Sequence, residues 1–263
     1  MKLFATMCNQ PQRLLEALRP ARAALVAQPP VARWGLGYVQ SGEVLLARTP
    51  RPSSTPVDLF AALEGVKSDC VLGHAVGPAG PETEGRFGGT EDTPPYRYRR
   101  WMYVQDGPAM CGAAWEALAS QVPEYLRRNV KGKGTAEISF HLLLSKLSDV
   151  GGIDDPNLSI AAARRAIAQA TARIAEELAK AEVTTSLGNL AVSNSRSLMV
   201  ARIATPLWIR RLHVVGERGG RDETFRGVLI VSGGSVEGEG FEDVPPNSIV
   251  TVTRDLRVEI ASI

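Results

Sequence analysis

Apolar positions follow three regimes along this chain: strand-like at the start, helical through the middle, and alternating towards the end. Residues 3–8 read as a short strand broken by Asn9-Gln10-Pro11. Leu14, Leu15, Leu18, Ala21 and Leu25 then recur at helical spacing as far as Gln28-Pro29-Pro30, with a kink or break expected at Pro20. Residues 33–40 and 43–48 flank Ser41-Gly42 and predict a hairpin, and 57–63 predict a short helix. The apolar run 70–76, with His74 inside it, predicts a strand. After it, 77–99 is rich in Gly, Pro, Glu and Thr, so a lid or binding loop is expected there.

Residues 101–105 predict a buried strand that ends in the turn Asp106-Gly107-Pro108, where backbone N–H groups could point into a cleft. Short helices are expected at 111–118 and 123–128. Lys131-Gly132-Lys133-Gly134 lacks the spacing of a phosphate loop and reads as a flexible turn. Thr135 is the expected N-cap of a helix through Ile138, Leu142, Leu143 and Leu147, and Pro156-Asn157 opens the longest helix, through Ile167, Ile174 and Leu178. Strands follow at 189–193, 197–202, 207–209, 212–215, 227–232, 248–252 and 257–260. Hairpin-linked strands with helices grouped between them give the class α+β, antiparallel sheets with helices on their faces.

Composition adds limits rather than a function. With 263 residues and 44% hydrophobic content the chain can bury one large core, so a single domain over 1–263 is expected. A formal charge of +2, with arginine pairs scattered rather than clustered, carries no nucleic-acid footprint. Cys8, Cys70 and Cys111 match no zinc spacing and read as reduced thiols, and neither a metal nor a cofactor is expected. The opening apolar run is too short for a signal peptide and no stretch is long enough to span a bilayer, so a cytoplasmic protein without membrane insertion is expected. His74, read by itself, is either a hydrogen-bonded core residue or a catalyst; no nucleophile-elbow motif accompanies it.

The order of motifs resembles the class II glutamine amidotransferases, which belong to the N-terminal nucleophile hydrolases. Trp34-Gly35-Leu36-Gly37-Tyr38 is similar to that family's Trp-Gly-x-Gly segment. Val71 to Val76 stands where the family has a strand ending in His-x-Arg, and Thr93-Pro94-Pro95-Tyr96 resembles its Asn-Thr-His-Pro-Phe. Trp101 to Gly107 looks like the strand leading into its His-Asn-Gly. Gly134-Thr135-Ala136-Glu137 falls where the family has Gly-Thr-Asp-Ser-Glu, and residues 241–248 resemble its Trp-x-x-Val-Pro ending. The resemblance covers nearly the whole chain and implies a four-layer αββα sandwich of two antiparallel sheets.

It also implies that the catalytic set has degenerated. Lys2 stands where the family carries its cysteine nucleophile, and Asp106 where an asparagine donates to the oxyanion. Val76 replaces the arginine that grips the substrate carboxylate, and Ala136 the aspartate that holds its amino group. Gly107 and His74 are kept. Met7-Cys8 offers a second start-and-thiol pair, but beginning there would delete the first strand.

The expectation is therefore a catalytically inactive amidotransferase-like module that binds a protein partner, with a homodimer left open. Arg86, Phe87, Tyr96, Tyr98 and Trp101 are its expected binding surface. The alternative is a hydrolase or amidotransferase of altered chemistry that uses Cys8, His74 or Asp106 on a substrate other than glutamine.

Overall fold

The computed structural model describes residues 3–77, 89–107, 112–155, 158–182, 187–215, 224–234, 236 and 238–263. Among them the chain runs through β1 (Leu3–Cys8), α1 (Leu14–Leu18), β2 (Val26–Ala27), β3 (Arg33–Gln40), β4 (Glu43–Thr49), β5 (Val57–Asp58) and β6 (Cys70–Val76). It continues through β7 (Tyr96–Tyr98), β8 (Trp101–Gln105), α2 (Ala113–Ser120), α3 (Glu124–Arg127), α4 (Thr135–Val150) and α5 (Ile160–Lys180). The last part is all strand: β9 (Leu190–Ser193), β10 (Ser197–Arg202), β11 (Leu207–Val214), β12 (Phe225–Ser232), β13 (Glu242–Asp243), β14 (Ser248–Thr253) and β15 (Val258–Ser262).

These strands form a seven-stranded sheet in the order β13-β11-β12-β1-β6-β3-β4, a six-stranded sheet in the order β15-β14-β10-β9-β8-β7, and the small pair β2-β5. The pairings are antiparallel, so the class read from the pattern is the one found.

Period-two alternation explains where the cores lie. In β1, Leu3, Ala5 and Met7 join Leu72 of β6 and meet Met102, Val104, Leu198 and Val200 of the other sheet. Phe4 points the opposite way, to a cluster with Leu14 and Leu18 of α1 and with Leu36, Val71 and Val231. In β8, Met102 and Val104 serve the first cluster, while Trp101 and Tyr103 pack against Phe140 and Leu144 of α4 and Ile167 of α5. Both strands are buried on two faces, hence their nearly unbroken apolar sequences.

Several local expectations are corrected. Residues 57–63 form β5 and a 3-10 turn at Ala61–Leu63 in place of a helix, because Leu59 N–H is drawn to the Leu25 carbonyl beside β2. The 207–209 and 212–215 runs are one strand, β11, whose Arg210 and Arg211 continue the ladder with β12. Two adjacent arginines interrupt the apolar pattern there without interrupting the strand. Gly134, not Thr135, is the N-cap of α4, and α5 starts later than Pro156-Asn157: Ser159 caps it, its Oγ accepting from Ala162 N–H at 3.1 Å. Among the described residues no helix is long and apolar enough to cross a membrane.

Candidate functional site

A small cavity lies where β3, β6 and β8 come together with the start of α4. The register brings its walls together: Arg33 of β3 pairs with Val76 of β6, Gly35 and Leu3 flank His74, and Gln105 ends β8. Its lining includes Arg33, His74 and Val76 from one sheet, Gln105 and Gly107 from the other, Asp92, Pro94 and Tyr96 between them, and Gly134 and Ala136 from the α4 entry. Four positions singled out in the sequence, His74, Val76, Gly107 and Ala136, therefore line one cavity. The cavity volume is about 20 Å³.

Gly35 is a condition of this closure. A Cβ there would stand 2.2 Å from the Pro94 carbonyl oxygen, so only glycine lets the 94–95 segment lie on β3.

The charges around the cavity are buried. Arg33 is only 6% exposed, and burial holds its guanidinium below the usual arginine range, with the Asp92 carboxylate among the groups opposing that shift. Asp92 Oδ1 accepts from Lys133 and Gly134 N–H at 2.7 and 3.1 Å, and Glu137 Oε2 from Lys131 and Gly132 N–H at 3.1 and 2.5 Å. Two carboxylates thus organise the turn that enters α4 and complement the positive end of its dipole. Burial raises the Glu137 carboxyl above its ordinary range despite those donors.

Asp106 does not line the cavity. Its Oδ2 accepts from Thr205 Oγ1 at 3.2 Å and Ser232 Oγ at 3.3 Å, and Ser232 Oγ in turn accepts from Leu3 N–H at 2.9 Å. The turn is locked from behind as well. Asp106 N–H donates to the Asn189 carbonyl at 2.6 Å, and Gly107, at φ +133°, lies against Gly188.

Other candidates are dispersed. Cys8 is at the far end of β1, about 17 Å along the strand from Leu3 at roughly 3.3 Å per residue. Burial pushes its thiol up to about 12, and its Sγ donates to the Gln10 and Ser68 carbonyls. The structure therefore does not bring Cys8 together with His74 or Asp106. Tyr96 and Trp101, expected on a binding surface, are buried instead. Trp101 is fully inside the helix-side core, with Nε1 donating to the Ile153 carbonyl at 2.9 Å, and Tyr96 lines the cavity. Tyr98 is half-buried with its ring edge-on to His141. Lys2, Arg86 and Phe87 lie outside the described residues.

Sequence reading missed Arg33, Asp92, Thr205 and Ser232. Arg33 opens the hairpin strand next to the Trp-Gly segment; a charge at a strand position whose neighbours are apolar or glycine is the signal that marks it. Among the described residues no three His, Cys, Asp or Glu side chains come close enough to hold a metal ion.

No family model and no curated protein matches the sequence. Solved structures with the same fold do exist. A glutamine aminotransferase class-II domain protein from Silicibacter pomeroyi is similar over 99% of this chain and 99% of its own, at TM-score 0.57 and 17% identity. A predicted glutamine amidotransferase from Pseudomonas aeruginosa is similar over 100% of both chains, at TM-score 0.61 and 11% identity. At such identities the likeness is one of fold.

Proposed function

We propose that this chain is a class II amidotransferase-type protein, a four-layer αββα sandwich of the N-terminal nucleophile hydrolase kind, kept as a cytoplasmic binding or regulatory module for a protein partner and without glutamine hydrolysis. The observation that carries this reading is the lining and size of the cavity between β3, β6, β8 and α4.

A free glutamine brings a carboxylate and an ammonium, and each needs a charged partner when buried. At the two positions the resemblance assigns to those partners, the lining has the aliphatic side chains of Val76 and Ala136. The volume of about 20 Å³ suits a single water, whereas ligand pockets ordinarily start at roughly 300 Å³. Asp106, at the oxyanion position, already accepts from Thr205 and Ser232, and a carboxylate has no proton to donate to a developing negative charge.

The test is ammonia release from L-glutamine in a coupled assay, together with capture of the partner by the tagged chain. No turnover is expected, and His74→Ala and Cys8→Ala are expected to retain the same partner as the native chain. Glutamine or other amide turnover that His74→Ala abolishes would overturn the proposal.

A further inference from the structure

At the other end of the two sheets lies a larger cavity, of about 500 Å³. It opens among the β3–β4 turn, the segment leading into β6, the start of β8, and the β9–β10 and β14–β15 turns. Seven residue steps along β3 separate its two ends, roughly 23 Å, so this cavity is remote from the one that holds Arg33 and His74.

Its charge is one-sided. Lys67, Arg100, Arg196 and Arg254, from four separate stretches of chain, face it against a single carboxylate among the described residues, Asp69. Among the described residues Lys67 and Arg100 have no carboxylate within ion-pair distance, and Arg254 shares the field of Asp69 without a close ion pair, although neighbouring cations are satisfied within the chain: Arg99 pairs with Asp154, and Arg97 donates to the Val44 carbonyl. Four cations against one carboxylate leave this concavity with an excess of positive charge, and a concave wall of one sign focuses the field on an anionic ligand. A nearly neutral chain, with a formal charge of +2, has no overall excess that would put them there.

We propose that this cavity binds a compact, multiply charged phosphate ester. Guanidinium groups present paired donors matched to phosphate oxygens, and Lys67 adds a point charge. The volume falls in the range of ordinary small-ligand sites. Among the described residues no aromatic side chain is in the lining, and its other polar groups, such as Asn194, suit a hydroxylated rather than a stacked remainder. Single-stranded nucleic acid, which binds by stacking bases on aromatic platforms, is therefore disfavoured.

Calorimetric titration with pyrophosphate and with a sugar bisphosphate, against sulfate at matched ionic strength, tests the site. Both phosphate ligands should bind the native chain more tightly than sulfate. The Arg100→Gln/Arg254→Gln variant should lose affinity by about tenfold or more, as expected when charge-assisted bonds are removed. Asp69→Asn should bind more tightly, a change opposite in sign that a damaged fold would not produce. Lys146→Gln, on α4, serves as the unaffected control. Phosphate binding no tighter than sulfate, insensitivity to the double substitution, or tighter binding of a single-stranded oligonucleotide than of pyrophosphate would each overturn the proposal. None of these outcomes depends on whether the chain hydrolyses glutamine.

Discussion

A thiol becomes a nucleophile by ionising, and burial opposes ionisation. Cys8 and Cys70 both sit inside the protein with their thiols pushed up to about 12, Cys70 also donating to Ser193 Oγ at 3.3 Å. In a Cys111→Ser background, Ellman's reagent at pH 8 should therefore react slowly with the native chain and fully once urea is added. Rapid native labelling of Cys8 would restore it as a candidate nucleophile. Glu137 is shifted by the same physics with a different consequence. Burial raises its folded-state value above 4.5, Asp92 adding to the shift, while the Gly132 and Lys131 N–H groups and the Arg48 charge resist it. The folded chain then holds the proton more tightly than the unfolded one. Its stabilisation is complete below about 4.5 and is lost as pH climbs through the folded value. Glu137→Gln keeps an oxygen for both N–H donors and has no charge to desolvate. Urea midpoints followed from pH 4.5 to neutrality should fall for the native chain relative to the variant; parallel curves would refute the assignment.

Among the elements, the turn after β8 depends most on a residue far away in sequence. A Cβ on Gly188 would lie 1.4 Å from the Asp106 carbonyl oxygen, so a side chain there must push the start of β9 off the end of β8. Overpacking of well-fitted positions costs roughly 1–3 kcal/mol, and a backbone collision belongs at or above the top of that range. Gly188→Ala should accordingly lower the urea midpoint by the equivalent of about 3 kcal/mol or more. A change near zero would mean that the two segments are not in contact. The same turn marks the limit of what the sequence made legible. Strand β8 and its glycine turn were readable because alternation and turn residues are local properties. That Asp106 faces Thr205 and Ser232, and that Arg33 sits opposite Val76, follows from which strands pair, and pairing is not written in either strand alone. Likewise the sequence pattern of β11 breaks at Arg210-Arg211 although the strand does not, because a strand near the sheet edge can carry charges in its middle, where Arg211 pairs with Glu242 at 2.8 Å.

At the scale of the whole molecule, the inter-sheet cluster decides whether the two sheets can unfold separately. Leu3, Met7 and Leu72 of the seven-stranded sheet are buried against Met102, Val104 and Leu198 of the six-stranded one; β1, β6 and β10 lie inside their sheets, and β8 lies next to the edge strand β7. Losing either sheet would expose the whole apolar face of the other, at about 25 cal/mol for each Å² of apolar surface uncovered. Helices α4 and α5 pack on the second sheet through Trp101 and Tyr103, whose neighbours Met102 and Val104 belong to the inter-sheet cluster, so the coupling passes through β8 itself. Unfolding should therefore be a single transition. Tryptophan fluorescence, with Trp101 fully buried, and far-ultraviolet circular dichroism should give the same urea midpoint. Leu198→Ala, a truncation inside the cluster worth about 2–5 kcal/mol, should move both midpoints together. If the variant shifted one probe and left the other in place, the sheets would be separate cooperative units and the inter-sheet core would not be what holds the fold together.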